Sequence, residues 1–129
     1  GKNWLTRPMF PETITEVGPV PIVPYGEPLT QKLADNFLPF LPRHNAFLME
    51  NHGLVIMSQL DLEWVMMNTE LLEMTSVHIH DALLHGNDLK EISRNDVREM
   101  DNVMRTRNLP YPGLPGTYQS LEEVYSWEA

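Results

Sequence analysis

The sequence predicts a mixed α/β fold with few strands, and three observations carry that prediction. Two apolar runs, Ala46-Phe47-Leu48-Met49 and Leu54-Val55-Ile56-Met57, flank an Asn51-His52-Gly53 corner and read as a strand pair. A broad apolar stripe at helical spacing runs from Ser58 to Gly86. Upstream, GPVPIVPY has strand-forming residues interrupted by prolines, the signature of a short or edge strand. The resulting order is strand, helix, two strands, long helix, helix, a layered α/β pattern.

Each element has its own local reason. Residues 1–18 read as an irregular approach segment, with Pro8 and Pro11 breaking any helix. In residues 28–41, Leu29, Leu33, Phe37 and Leu41 recur at four-residue spacing, which predicts an amphipathic helix that Pro39 ends near Leu38. Strands are expected over about 46–50 and 54–57, because Asn and Gly tolerate the positive φ of a tight corner. Both runs are almost continuously apolar, so both faces of the pair are expected to be covered. The long helix starts at Ser58 or Asp61, either of which could cap it. Its stripe is Leu62, Val65, Met66, Thr69, Leu72, Ser76, Ile79 and Leu83, widened by Trp64, Met67, Leu71 and Met74. That surface is broader than one packing face needs, so a sheet and a further helix or subunit are expected against it. Gly86 is the natural stop, and a second helix follows over about 94–107, capped by Ser93. Residues 19–107 thus form the main domain and 108–129 a Pro/Gly-rich, aromatic tail.

Composition limits the function classes. The chain has 129 residues, enough for one domain and one modest core. Its formal charge of −9 argues against nucleic acid or an anionic membrane surface as the main partner. It has no cysteine, which removes disulfides, thiolate zinc sites and thiol catalysis and fits a reducing, cytoplasmic compartment. No apolar run approaches the roughly 18 residues of a membrane span. The abrupt GKNW opening leads to the expectation that the chain is the interior or tail of a longer protein.

Candidate chemistry centres on histidine. His78 and His80 form an H-x-H pair, but they fall within the helical pattern. Positions two apart on a helix point about 200° away from each other, so these rings cannot share one ion. Glu70 and Glu73 can share a cation at their spacing, although an acidic solvated face is the commoner use. The methionines Met49, Met57, Met66, Met67 and Met74 read as core packing. His52 differs, because a rigid strand corner presents a ligand accurately. A turn histidine is nonetheless more often structural, and no nearby residue supplies the other ligands of a catalytic zinc. GEPLT and GLPGT lack the spacing of phosphate-binding loops.

Residues 16–86, with VPIVPY, AFLMENHGLVI and the long helix bearing Glu70 and Glu73, resemble the C-terminal half of the class II aldolase/adducin family. The resemblance implies a three-layer α/β/α sandwich, here only its C-terminal part. It also implies that His52, the histidine of the NHG corner, is one ligand of a divalent metal, Zn2+ or alternatively Mn2+ or another cation. The remaining ligands and an acid/base residue would come from a missing N-terminal half or companion chain. In aldolases of this type a tyrosine from the tail or a neighbouring subunit commonly assists proton transfer, which makes Tyr111, Tyr118 and Tyr125 candidates. The implied function is cleavage of a ketose or deoxyketose 1-phosphate to dihydroxyacetone phosphate and an aldehyde by a homotetramer. Epimerisation, dehydration or decarboxylation on the same scaffold, or a non-catalytic adducin-like module, are the alternatives.

Overall fold

The computed structural model describes residues 2–127. Its elements are α1 (Pro11–Glu16), β1 (Ile22–Val23), α2 (Gln31–Phe37), β2 (Ala46–Met49), β3 (Gly53–Ile56), α3 (Leu62–Leu84) and α4 (Arg94–Arg107). Single 3-10 turns at Trp4–Thr6 and Leu121–Val124 complete them. The sheet has the order β1-β2-β3. β1 runs parallel to β2, and β3 returns antiparallel, with Ala46 opposite Ile56 and Met49 opposite Gly53.

The strand pair and both long helices match the sequence reading. Asp61 is the cap of α3, its carboxylate accepting the Trp64 amide at 3.0 Å. Ser93 caps α4 through the Asp96 amide at 3.1 Å. Just past α3, Gly86 has φ +72°, and its amide donates to Leu83, the left-handed stop that glycine allows.

Several expectations are corrected. Pro11 begins α1 instead of breaking it, because the first helical position needs no amide donor. α2 is shorter than its apolar spacing predicts. Thr30 caps it and leaves Leu29 before the cap with positive φ and full exposure, while its end at Phe37, with Leu38 as the cap, falls where Pro39 predicts. Both faces are covered at the start of β2, where Ala46 is buried toward α3 and Phe47 packs on Phe37 of α2, but Leu54 of β3 is exposed. The stripe of α3 is rotated from the expected one. Its buried residues are Asn68, Leu72, Thr75 and Ile79, while Leu62, Met66, Met67 and Met74 face outward. The inner face holds polar residues because they have partners: Asn68 donates to the Glu16 carbonyl at 3.2 Å, and Thr75 shares a 2.8 Å hydrogen bond with Thr13. The α3 methionines Met66, Met67 and Met74 are therefore an exposed flank, not core.

Two apolar clusters hold the structure. Val17, Val20, Ala46 and Leu72 join the sheet to α3. Ile14, Val97, Met104, Leu121, Val124 and Tyr125 join α1, α4 and the tail. The tail is ordered by Asp101 of α4. Its carboxylate accepts the Tyr111 hydroxyl, the Leu121 amide at 3.2 Å and Arg105 Nε at 2.8 Å. Gly113 presses on the start of β2, where any side chain would strike the Pro42 carbonyl. Residues 128 and 129 of the tail lie outside the described residues.

Asp101→Ala should lower unfolding free energy by about 2 kcal/mol, because it orphans a buried amide and a phenol. Urea denaturation measures this. His44 provides a pH test. Burial lowers its pKa from 6.5, outweighing the opposite effect of its hydrogen bond to the Pro19 carbonyl. The unfolded chain therefore takes up the proton first, so stability is full above about pH 6.5 and falls as pH drops below it. His44→Gln should flatten that part of the urea-derived stability profile.

Candidate functional site

The hairpin corner forms where the sequence places it. Glu50, Asn51 and His52 connect β2 to β3, with Asn51 at φ +62° and the His52 amide donating to the Met49 carbonyl at 3.0 Å. Asn51 takes the left-handed conformation because its short polar side chain tolerates it. His52 is exposed and points toward the loop that follows β1.

That loop, Pro24-Tyr25-Gly26, orients the imidazole. His52 Nε2 lies 2.9 Å from the Gly26 carbonyl oxygen. A carbonyl can only accept, so Nε2 carries the proton and Nδ1 holds the ring's lone pair. The Tyr25 ring stacks on the imidazole, with centroids 5.5 Å apart and planes 17° apart. The Tyr25 amide donates to Glu50 Oε2 at 3.1 Å, tying the loop back to the corner. From the other side, Asn36 of α2 donates to the Pro24 and Tyr25 carbonyls, both at 3.1 Å. Gly26 has no side chain for a steric reason, since a Cβ there would lie 2.7 Å from Leu33 Cα.

The other sequence candidates lie apart from this corner. His78 and His80 are both on α3, as the helical spacing requires, and both are exposed. Glu70 and Glu73 lie on the exposed face of the same helix. Tyr111 is bound to Asp101, and burial followed by that hydrogen bond raises its pKa. The Tyr118 hydroxyl donates to the Arg43 carbonyl at 3.4 Å, and burial raises its pKa against the pull of Arg43. Tyr125 is packed into the α1–α4 cluster, and burial pushes its pKa far up. The tail meets the start of β2, through Asn45 and Pro42, whereas His52 lies beyond its end. At roughly 3.3 Å per residue, about 13 Å of strand separates the two. Among the described residues, no three His, Cys, Asp or Glu side chains converge in a way that could hold a metal ion. His52 thus offers one lone pair on a fixed ring, fitting a single position in a ligand shell.

Tyr25, Gly26, Asn36 and Glu50 are site residues that sequence reasoning did not single out. The one available signal was Gly26 directly after a proline-flanked strand.

This fold and corner define a class. The family model for the class II aldolase and adducin N-terminal domain matches residues 4–77, and the chain belongs to that family. Among curated proteins, it is 31% identical over 94 residues to the 3-oxo-tetronate 4-phosphate decarboxylase of Pectobacterium atrosepticum, covering 73% of this chain and 42% of that protein. The Haemophilus influenzae decarboxylase of the same name is 30% identical over 100 residues, covering 78% of this chain and 46% of that protein. Among solved structures, YgbL of Klebsiella pneumoniae matches with a TM-score of 0.64 and 34% identity, over 74% of this chain and 44% of that one. YgbL of Escherichia coli matches with a TM-score of 0.63 and 29% identity. The chain therefore spans under half the length of the relatives it matches. The class II aldolase-type α/β fold expected from the sequence is borne out by these structures.

Gly26→Ala tests the orientation of the ring. The new methyl must displace the loop from Leu33, moving the carbonyl that holds Nε2. Nitrogen-15 spectra of the His52 imidazole should show the Nε2–H tautomer in the native chain and a mixture of tautomers in the variant.

Proposed function

We propose that this chain is part of a divalent-metal-dependent lyase that breaks a carbon–carbon bond next to the carbonyl of a small sugar-type phosphate. In this reading His52 is one metal ligand, with Zn2+ the first candidate cation. The observation that carries the proposal is the fixed His52 ring. It is held by a main-chain acceptor on one nitrogen, which leaves the other for a cation. Bound against the substrate's hydroxyl and carbonyl oxygens, a divalent cation would act as a Lewis acid and stabilise the charge left by bond cleavage.

Two cleavages fit that chemistry, and both leave an electron pair on the carbon beside the carbonyl. Aldol cleavage of a ketose 1-phosphate first needs a base to take a hydroxyl proton, and then releases an aldehyde. Decarboxylation of a 3-oxo acid phosphate needs no such base. The bond to the carboxylate breaks, CO2 leaves, and an acid then delivers one proton to the carbon. The named curated relatives are decarboxylases, which favours the second cleavage over the aldolase reading taken from the sequence.

The acid would come from outside the His52 corner. Of the three tail tyrosines, Tyr118 is the best placed to deliver a proton. Its phenol stays neutral and rests on a backbone carbonyl, whereas Tyr111 is tied to a carboxylate and Tyr125 is in the core. Because Tyr118 lies at the far end of β2 from His52, it would serve the site of a neighbouring copy. That arrangement agrees with a homo-oligomer, the tetramer expected from the family resemblance.

In the whole protein, His52→Ala should remove most of the bound zinc while the melting temperature stays close to that of the native protein. Elemental analysis per protomer reads this, and unchanged zinc would end the assignment. A substrate panel separates the chemistries: 3-oxo-tetronate 4-phosphate should release CO2, and release of an aldehyde from ketose 1-phosphates instead would restore the aldolase reading.

A further inference from the structure

The tail crosses the start of β2 as a strap tied at both ends. Asp101 accepts the Tyr111 hydroxyl before the strap and the Leu121 amide, at 3.2 Å, after it. Between these anchors, residues 112–118 form no helix or strand. The strap rests on the residues that lead into β2. The Pro42 carbonyl accepts the Leu114 amide at 3.0 Å and the Thr117 hydroxyl at 3.1 Å. The Arg43 carbonyl accepts the Tyr118 hydroxyl, and Asn45 Oδ1 accepts the Gly113 amide at 2.9 Å. Pro112 presses on Gly18, where a Cβ would lie 2.4 Å from its ring. Pro112 and Gly113 are buried, but residues 114–117 are exposed, Leu114 by 60%. Closure therefore depends less on apolar burial than on the two backbone strips beneath, 18–19 and 42–45, keeping their places.

His44 joins those two strips. Its Nδ1 lies 3.1 Å from the Pro19 carbonyl oxygen. A carbonyl only accepts, so Nδ1 carries the proton and a second proton goes to Nε2. No group among the described residues hydrogen-bonds to Nε2. The ring packs on Phe40 and Phe47, each centroid 6.2 Å away. Arg43 is the one charged group that acts on it, and it repels a proton. The strip at Gly18 and Pro19 has no titratable side chain, and β2 meets the ring with Phe47. The strap's own titratable group is the Tyr118 phenol, on the Arg43 carbonyl. A doubly protonated ring is thus a charge beside two phenyl rings with no carboxylate to meet it.

We propose that His44 is a proton-operated peg: on taking a second proton it leaves the Pro19 carbonyl, the two strips part, and the strap opens about its Asp101 anchors. The sign follows from burial. Burial lowers the His44 pKa from 6.5 by more than the Pro19 hydrogen bond raises it, and Arg43 adds to the lowering. With the strap open the ring is in water, so the open form takes up the proton first. The closed strap is fully favoured above about pH 6.5 and loses ground as pH falls below it.

Opening carries Tyr118 off the Arg43 carbonyl. In the proposed lyase that phenol delivers a proton to the site of a neighbouring copy, so the peg makes that delivery pH-dependent. This step rests on the proposed function; the movement of the strap does not.

Amide exchange in this chain tests the peg, with the His44 ring titrated by NMR alongside. At about pH 7.5 the Leu114 amide should be at least about tenfold less protected than the Leu48 amide, which donates to Pro21 within the sheet, because the strap opens without global unfolding. Down to about pH 5, Leu114 protection should fall at least about threefold, following the titration of the ring. His44→Gln, whose side-chain amide can still donate to Pro19, should abolish that fall. Equal protection of Leu114 and Leu48 overturns the proposal, since the strap then opens only when the chain unfolds. So does Leu114 protection that stays constant while the ring titrates, or the same fall in His44→Gln. The first two readings use the native chain alone and hold whether or not the variant folds. In the whole protein, CO2 release from 3-oxo-tetronate 4-phosphate should decline over the same range. Constant release with an opening strap keeps the peg and removes Tyr118 from the role of acid.

Discussion

Strand β2 is the constraint on which the other parts depend, because it is the one strand paired on both sides. Its amides meet β1, its full length pairs with β3, and Ala46 and Phe47 are sealed from solvent. A strand fixed in this way cannot slip, since a one-residue shift would drive Phe47 from its place on Phe37 into the side where Ala46 packs toward α3. Its two ends therefore lie at fixed places. The start receives the tail through Gly113 and Asn45, and the end launches the turn that carries His52. The corner is rigid because the strands behind it are.

The imidazole is held more by main chain than by side chains. The Gly26 carbonyl sets its proton, and Gly26 itself is held by close packing on α2. Asn36 and Glu50 then fix the loop from opposite sides. Every one of these contacts comes from sheet connections or α2, so the ring is oriented by this chain's own residues. A ring held in this way loses less freedom when anything binds it.

α3 shows how the balance of polarity is set by what lies opposite. Asn68 and Thr75 sit on its inner face because Glu16 and Thr13 of α1 satisfy them, while several methionines and leucines remain outward. The inner face thus mixes Leu72 and Ile79 with partnered polar residues, and the outer face mixes apolar side chains with Glu70, Glu73, His78 and His80. That outer face is consistent with a chain that spans less than half of its relatives' length.

Local chemistry was enough to read the strand pair, the Asn-His-Gly corner, the caps at Asp61 and Ser93 and the glycine stop after α3. Each of these is decided within four residues by φ preference or by an amide seeking an acceptor. The family, too, was legible from VPIVPY and the NHG corner. Long-range contacts decided the rest. α2 starts late because Thr30 caps it and leaves Leu29 outside at positive φ, while its end beside Leu38 is where Pro39 places it. α3 is rotated because α1, 62 residues from Thr75 along the chain, supplies the polar partner. Which nitrogen of His52 holds the lone pair depends on a carbonyl 26 residues away. No periodicity encodes such pairings, because they arise only when distant backbone segments are brought together.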